Sequence, residues 1–115
     1  MTMEPTLFSK IIDRAIPADI IYEDEVCLAF HDINKQAPMH ILVIPKVVIP
    51  RLVDALPEHK TLLGHMLLKA RDIASEQGVG DAFRLVINNG EEAGQSVFHL
   101  HIHLLAGRCF SWPPG

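Results

Sequence analysis

Residues 95–105 read Gln-Ser-Val-Phe-His-Leu-His-Ile-His-Leu-Leu, and three histidines stand at alternate positions in this stretch. Successive side chains of a β-strand point to opposite faces of the sheet. The pattern therefore predicts a strand with His99, His101 and His103 on one face, rooted roughly 7 Å apart. The other face would carry four apolar side chains: Phe98, Leu100, Ile102 and Leu104. Because unpartnered buried imidazoles are costly, the three rings should share a common ligand or hydrogen-bond network.

Length and composition restrict the classes of protein that remain. The chain has 115 residues and a net charge of −4, which predicts one domain over residues 1–115 and argues against a surface that binds nucleic acid. Only Cys27 and Cys109 are present, so neither a disulfide framework nor a thiolate metal site is expected. The first residues are polar and acidic, and no apolar run has the length of a membrane span. We expect a cytoplasmic protein without a membrane partner.

Hydrophobic periodicity predicts an α+β fold with a mainly antiparallel five-stranded sheet, one short helix and one long helix. Leu7, Phe8, Ile11 and Ile12 have helical spacing, whereas a loose arm is expected over residues 1–5 and an irregular tail over 107–115. The long helix is expected over residues 57–77, with an apolar stripe made of Leu62, Leu63, Met66, Leu67, Ala70, Ile73 and Ala74. The strands are expected over residues 19–22, 26–31, 39–44, 82–88 and 95–105. Such a sheet has two edges, which favours self-association.

Two kinds of chemistry suit a row of histidines. The first is a metal site, because alternating imidazoles can hold a zinc ion with an open position for water. The second is nucleophilic attack on phosphorus by a neutral imidazole whose other nitrogen is fixed by a hydrogen bond. Gly94, Gln95 and Ser96 precede the row and offer donors that suit a phosphate better than a metal. His59 and His65, on the long helix, are assigned to structure or solvent.

The run His99-Leu100-His101-Ile102-His103-Leu104-Leu105 matches the signature of the histidine-triad (HIT) superfamily, and the chain resembles its Hint branch. The resemblance extends over residues 6–12, 28–33, 36–46, 94–98 and the final Trp-Pro-Pro-Gly. It implies a purine nucleoside phosphoramidate hydrolase that cleaves a P–N bond through a nucleotidyl-histidine intermediate. The branch that cleaves dinucleoside polyphosphates tends to have Gln-Thr in place of Gln95-Ser96, and it lacks the Trp-Pro-Pro-Gly ending. That activity and non-catalytic nucleotide binding are the alternatives.

The resemblance also assigns roles to residues. His101 would be the nucleophile, with His103, His99, His40 and Ser96 as its supporting catalytic groups. Asp32 would bind the ribose hydroxyls. The remaining residues that the family pattern places around a purine nucleotide such as an AMP or GMP conjugate are Phe8, Ile11, Phe30, His31, Ile33, Asn88, Gly94, Gln95, Val97 and Trp112.

The chain departs from those relatives that bind zinc through two cysteines and two histidines. The matching positions hold Thr6, Ser9 and Val48, so that only His99 of the ligand set is present. We therefore expect no metal and no cofactor. The resemblance implies a homodimer with the sheet extended across it, in which the C-terminal tail with Trp112 reaches the partner's site or the interface.

Overall fold

The computed structural model describes residues 5–115 and contains one five-stranded sheet. Most of the predicted N-terminal arm lies outside the described residues. The helices are α1 (Leu7–Ile12) and α2 (Lys60–Glu76), and the strands are β1 (Ile20–Glu23), β2 (Cys27–His31), β3 (Met39–Pro45), β4 (Phe83–Val86) and β5 (Ile102–Ala106). Their order is β1-β2-β3-β5-β4, and every neighbouring pair is antiparallel. The predicted α+β fold with five strands is confirmed.

The histidine strand is shorter than predicted. Strand β5 begins at Ile102, so only His103 lies in it, while His99 and His101 belong to the irregular segment that leads into it. Phe98 is 42% exposed, so its place on the buried apolar face was wrong, whereas Leu100, Ile102 and Leu104 are buried as expected. The backbone of this segment bonds outside the sheet, since the Leu100 N–H donates to the Ile49 carbonyl over 2.6 Å. Alternation in sequence therefore continued beyond the hydrogen-bonded ladder.

The centre of the sheet is buried on both faces. Helix α2 covers one face, where Met66, Ala70, Ile73 and Ala74 pack on Ile41, Val43, Ile102 and Leu104. On the other face α1 contributes Phe8 and Ile11, which pack on Leu28, Phe30, Leu42 and Ile44. The histidine cluster, which consists of His40, His99, His101 and His103, lies on this second face. His40 and His103 alternate with the residues that face α2, and the rings of His99 and His101 pack against Phe8. The two helices thus pack on opposite faces of the sheet that carries the site.

The helix ends follow local sequence signals. Thr6 caps α1 by accepting from the Ser9 N–H at 2.9 Å, and the Ser9 hydroxyl receives the Thr6 N–H at 2.8 Å. The predicted long helix begins with a 3₁₀ turn, Pro57–His59, and Leu56 gives no side-chain cap. Leu67 is 44% exposed and so was wrongly placed in the buried stripe. No helix within residues 5–115 has the length and apolarity that a bilayer crossing requires.

His59 and His65 have the structural roles expected of them. His59 Nδ1 accepts from the Leu56 N–H at 2.9 Å, which satisfies one free amide before α2. His65 Nε2 lies 2.6 Å from Asp24 Oδ2, and Asp24 also receives hydrogen bonds from the N–H groups of Val26 and Cys27. Burial alone would raise the pKa of Asp24, but the hydrogen bond from Tyr22 together with these three bonds lowers it. The contact ties α2 to the turn between β1 and β2, away from the histidine cluster.

Candidate active site

Strands β3 and β5 bring His40 and His103 together. In the antiparallel register His40 lies opposite Leu105, so that His103, two residues earlier, is its diagonal neighbour on the same face. His40 Nε2 and His103 Nδ1 are 2.9 Å apart, which is a hydrogen bond between the rings. His40 is 2% exposed, and Asp32 Oδ2 lies 3.5 Å from the same His40 nitrogen.

The backbone fixes which nitrogen of these two rings carries the proton. The Gln36 N–H donates to His40 Nδ1 over 3.1 Å, so His40 Nδ1 must be unprotonated. Neutral His40 then carries its proton on Nε2 and donates it to His103 Nδ1. Neutral His103 therefore has its proton on Nε2, the nitrogen left over for the cavity. The pair thus presents an N–H donor to any anion bound there.

His101 has the opposite tautomer. Its Nδ1 lies 2.7 Å from the His99 carbonyl oxygen, which can only accept, so Nδ1 carries the proton. Neutral His101 therefore has its lone pair on Nε2. The Phe8 ring packs edge-on against His101 with centroids 4.9 Å apart, and the His103 ring lies 4.8 Å away by the same measure. This combination places a nucleophilic nitrogen beside an N–H donor.

His99 supports the site from outside the cavity. It is fully buried, its Nε2–H donates to the Pro45 carbonyl at 2.8 Å, and its Nδ1 accepts from the Thr6 hydroxyl at 2.9 Å. Both ring nitrogens are satisfied, so no nitrogen is left for a substrate. Its ring and backbone instead hold the segment whose carbonyl orients His101.

Burial keeps all four rings neutral near pH 7. Desolvation lowers the pKa of His40, His99 and His101 below the usual 6.5, and the opposing effect of Asp32 on His40 and His101 is smaller. The pKa of His103 falls to about 4, because burial and then the nearby His101 and His40 disfavour its charged form. The hydrogen bonds of His40 and His103 also require neutral rings, because each ring accepts at Nδ1.

These lowered pKa values predict a loss of stability in mild acid. The unfolded chain binds protons on these histidines near pH 6.5, whereas the folded chain resists them until the pH approaches the lower folded pKa values. The free energy of unfolding should therefore be fully retained above about pH 6.5 and should fall as the pH drops from there toward about 4, the pKa of His103 in the folded chain. Urea unfolding at several pH values measures this, and His103→Gln should give a shallower slope. A flat profile over this interval would contradict the lowered pKa values.

A cavity of about 310 Å³ opens beside the histidines. His101 and His103 line it, and so do most of the predicted nucleotide-binding residues: Phe8, Ile11, Phe30, His31, Asp32, Ile33, Ser96 and Val97. The cavity reaches the surface at Ile33, whose side chain is fully exposed. Its apolar lining comes largely from α1, β2 and the segment 16–18, and its polar lining includes Asp32, Ser96 and the histidines. The cavity therefore combines side chains that suit a flat apolar ring with groups that suit an anion.

Four predicted substrate-binding residues do not line this cavity. Gln95 is buried, and its amide is used within the protein: Oε1 accepts from the Gly90 N–H, and Nε2 donates to the carbonyls of Pro50 and Val97. Asn88 lies against Gly94, a glycine with φ +102° at the end of a 3₁₀ turn. These three residues belong to or contact the loop that carries Ser96 and do not line the cavity. Trp112 is 83% exposed on the tail.

The sequence did not identify several residues that line the cavity: Leu7, Ile16, Pro17, Ala18, Asn34 and Leu42. Leu7 is next to the predicted Phe8 on α1, and Leu42 faces the cavity because it pairs with His103 across the β3–β5 ladder. The signal for Leu42 was its position two residues after His40 in the predicted strand, which puts both side chains on one face. The segment that contains Ile16, Pro17 and Ala18 lies between elements and has no periodic pattern.

The zinc-ligand positions of other relatives do not fit a metal in this chain. Thr6 and Ser9 are hydroxyl residues joined in the α1 capping box, and His99 Nδ1 is occupied by the Thr6 hydroxyl. Zinc in proteins prefers thiolates and imidazoles, so two hydroxyls are poor substitutes. Within residues 5–115 two triplets of other potential ligands occur, Asp24–Cys27–His65 and Asp32–His40–His103. In the first triplet Asp24 Oδ2 already bonds to His65 and Cys27. In the second, His40 Nε2 bonds to His103 and lies 3.5 Å from Asp32 Oδ2.

Comparison with known proteins identifies the family. The family model described as the HIT domain matches residues 13–110. This chain belongs to the HIT domain family. The HIT chain is 64% identical over 112 residues to an uncharacterized HIT-like protein of Synechocystis, covering 97% of this chain and 98% of that protein. It is 50% identical over 113 residues to a 14 kDa zinc-binding protein of Zea mays, covering 96% and 88%.

Solved structures match the HIT chain over nearly its whole length. A HIT family hydrolase from Legionella pneumophila superposes with a TM-score of 0.94 at 43% identity, covering 96% of this chain and 100% of that one. A HIT family hydrolase from Clostridium thermocellum has a TM-score of 0.90 at 40% identity, with 96% of each chain covered. The predicted HIT-like fold and the resemblance to this superfamily are confirmed.

Proposed function

We propose that this HIT protein is a hydrolase that cleaves the P–N bond of purine nucleoside phosphoramidates. The observation that carries the proposal is the fixed tautomer of His101, whose Nδ1–H bonds to the His99 carbonyl and whose Nε2 lone pair is free. The similarity to proteins named HIT family hydrolases supports hydrolysis as the class of reaction. The substrate class follows from the Hint-branch resemblance and from the shape of the cavity.

In the first chemical step the His101 Nε2 lone pair attacks the α-phosphorus. A new N–P bond forms, the P–N bond to the amine breaks, and the departing amine takes up a proton from solvent. The product of this step is a nucleotidyl-histidine, in which His101 Nδ1 keeps its proton and still donates it to the His99 carbonyl. His103 Nε2–H and the Ser96 hydroxyl stabilise the negative charge on the phosphoryl oxygens.

In the second step water attacks the same phosphorus and the bond to His101 breaks. The nucleoside monophosphate leaves, water gives up a proton, and His101 recovers its lone pair. Because the lone pair is available only on neutral His101, the lowered pKa of His101 keeps the nucleophile active in mildly acidic solution.

The cavity offers a separate place for the nucleoside. Phe8 and Phe30 pack edge to face with centroids 5.6 Å apart and form part of an apolar wall for the base. Asp32 is assigned to the ribose hydroxyls, where a carboxylate can accept two hydrogen bonds. Its Oδ1 is already held by the Asn34 N–H at 2.9 Å, so the carboxylate is oriented before the substrate arrives.

We also propose that the protein acts as a homodimer. The sheet ends in β1 on one side and β4 on the other, and each of these edge strands has one free row of backbone groups. A second copy that pairs along one edge would continue the sheet. The exposed Trp112 would then be available to the partner's site.

The test is incubation of the purified protein with an adenosine phosphoramidate of a fluorescent amine. Release of AMP and free amine in equal amounts is expected, and sedimentation velocity of the same sample should give a dimer. Faster cleavage of a dinucleoside polyphosphate would favour the alternative hydrolase. Binding of AMP without turnover of either substrate would favour a non-catalytic nucleotide-binding protein, and a monomer at micromolar concentration would remove the dimer.

A further inference from the structure

We infer that Arg108 is a positioning residue for the His40–His103 pair, acting through the backbone of Gln36, whose C=O accepts from Arg108 and whose N–H donates to His40. Arg108 follows β5 on the C-terminal segment, 72 positions from Gln36 in sequence. Neither Arg108 nor the Gln36 backbone lines the cavity. The catalytic part of this inference rests on the proposed function, whereas its structural part concerns the protonation of His40 and can be measured without a substrate.

The Arg108 guanidinium donates to two backbone carbonyls: Nη1 bonds to the Cys109 oxygen at 3.3 Å, and the other two nitrogens bond to Gln36. Its Nε and Nη2 both donate to the Gln36 carbonyl, at 3.3 and 3.2 Å. The guanidinium also lies 4.3 Å from the centroid of the Phe110 ring, which restricts its position. Among the described residues it makes no ion pair with a carboxylate. Its recorded partners are therefore backbone carbonyls and an aromatic ring.

A second contact fixes the same loop from the neighbouring residue. Gly107 has φ +96°, and a Cβ added to it would lie 2.9 Å from Pro38 Cβ. The turn after β5 thus packs directly on the loop between β2 and β3, which contains Gln36. Gly107 and Arg108 together hold this loop from the C-terminal side, one by close packing and the other by hydrogen bonds.

The backbone N–H of Gln36 determines the tautomer of His40. The Gln36 N–H donates to His40 Nδ1, and this bond is what places the His40 proton on Nε2 and the His103 proton on its own Nε2. If that amide moved away, His40 Nδ1 could take the proton and Nε2 could accept from His103 Nδ1. His103 would then present a lone pair to the cavity, where it would repel phosphoryl oxygens. One backbone N–H therefore sets the polarity of two rings.

A positioning role of Arg108 differs from a stabilising role in what its removal changes. Arg108 is exposed, so its removal should have little effect on overall stability. The expected catalytic loss is roughly three- to tenfold in kcat, the size associated with one hydrogen bond. KM for the phosphoramidate should change by less than about twofold, because the apolar wall and Asp32, which are assigned to the nucleoside, are unchanged.

The experiment compares wild type, Arg108→Ala and Arg84→Ala. Arg84 is a matched control, because it also lies against Phe110, at 5.0 Å, but donates to the Ser111 carbonyl in the tail instead of to Gln36. Proton–nitrogen correlation spectra of ¹⁵N-histidine-labelled protein report the tautomer of His40 and His103 directly. Thermal unfolding and steady-state kinetics on the phosphoramidate are measured on the same samples.

In wild type, His40 and His103 should both show a protonated Nε2 and an unprotonated Nδ1. Arg108→Ala should give a mixture of tautomers for both rings with the stated fall in kcat, while Arg84→Ala should match wild type. Gly107→Ala should change the tautomers in the same direction, since it moves the same loop. Unchanged histidine spectra in Arg108→Ala, or an equal change in Arg84→Ala, would overturn the inference. If wild type did not cleave the substrate, the proposed function would fail while the spectra still tested Arg108.

Discussion

His101→Ala is expected to lower the rate of phosphoramidate cleavage on the order of 10⁴-fold or more, which is the scale seen when a covalent nucleophile is removed. The loss follows from the geometry, because His101 is the ring in this cluster whose free nitrogen is a lone pair facing the cavity. In both His40 and His103 the acceptor nitrogen is Nδ1, and it already receives a hydrogen bond from another protein group. His99 has both nitrogens engaged. Neither His40, His99 nor His103 can therefore take over the attack.

The control for this prediction is His59→Ala, which removes a histidine far from the cavity whose contact is the Leu56 amide before α2. It should keep the wild-type rate. Wild type quenched in alkaline denaturant during turnover should retain nucleotide on His101, and acid should release it, whereas His101→Ala should carry none. Adduct on another histidine, or a rate within tenfold of wild type in His101→Ala, would assign the nucleophile elsewhere. Retained binding of AMP would show that the variant still folds.

The sequence was a good guide to residues that repeat a pattern. The strands β2 and β3, the short helix α1 and the antiparallel sheet were predicted from apolar periodicity, and the structure has them. Of the three histidines, His101 and His103 lie together beside the cavity with ring centroids 4.8 Å apart, whereas the ring nitrogens of His99 bond to Thr6 and Pro45 outside it. Their spacing did not reveal His40, whose place beside His103 depends on the β3–β5 register and was supplied by the family resemblance.

What the sequence could not supply was the protonation pattern of the site. It depends on backbone groups with no signature of their own: the His99 and Pro45 carbonyls and the Gln36 amide. Any residue type provides such groups, so only the path of the chain decides where they point. The same reason explains Gln95, whose side chain type suggested a phosphate ligand although its amide closes a loop through Gly90 and Pro50.

The late start of strand β5, at Ile102 instead of within the predicted residues 95–101, also has a physical cause. Extended backbone and alternation of side chains do not require a ladder partner, and here the chain leaves β3 before Ile102 so that the Leu100 amide bonds to Ile49. This departure allows the His99 carbonyl to turn back toward its own neighbour His101. A continuous strand would have used that carbonyl in the sheet. The irregular segment is thus what orients the nucleophile.

Phe8→Ala is expected to destabilise the protein by about 3–5 kcal/mol, the usual cost of removing a buried phenyl ring. Phe8 is 4% exposed and packs against Phe30, His99 and His101, with ring centroids 5.6, 5.9 and 4.9 Å away. Removal of the ring would also take away part of the apolar wall of the cavity and the lateral support of His101. KM should therefore rise and kcat should fall together. Urea unfolding and steady-state kinetics measure the two effects.

Phe98→Ala is the matched control, because the same ring is removed where it is 42% exposed and does not line the cavity. It should cost less than about 1 kcal/mol, in keeping with a partly exposed side chain. If the two variants lost equal stability, the α1 side of the sheet would not be the core that the burial of Phe8 indicates. If Phe8→Ala lost stability but kept wild-type kcat and KM, the position of His101 would depend on its Nδ1–H bond alone. The catalytic geometry would then be set by the backbone, with the aromatic wall serving only to exclude water.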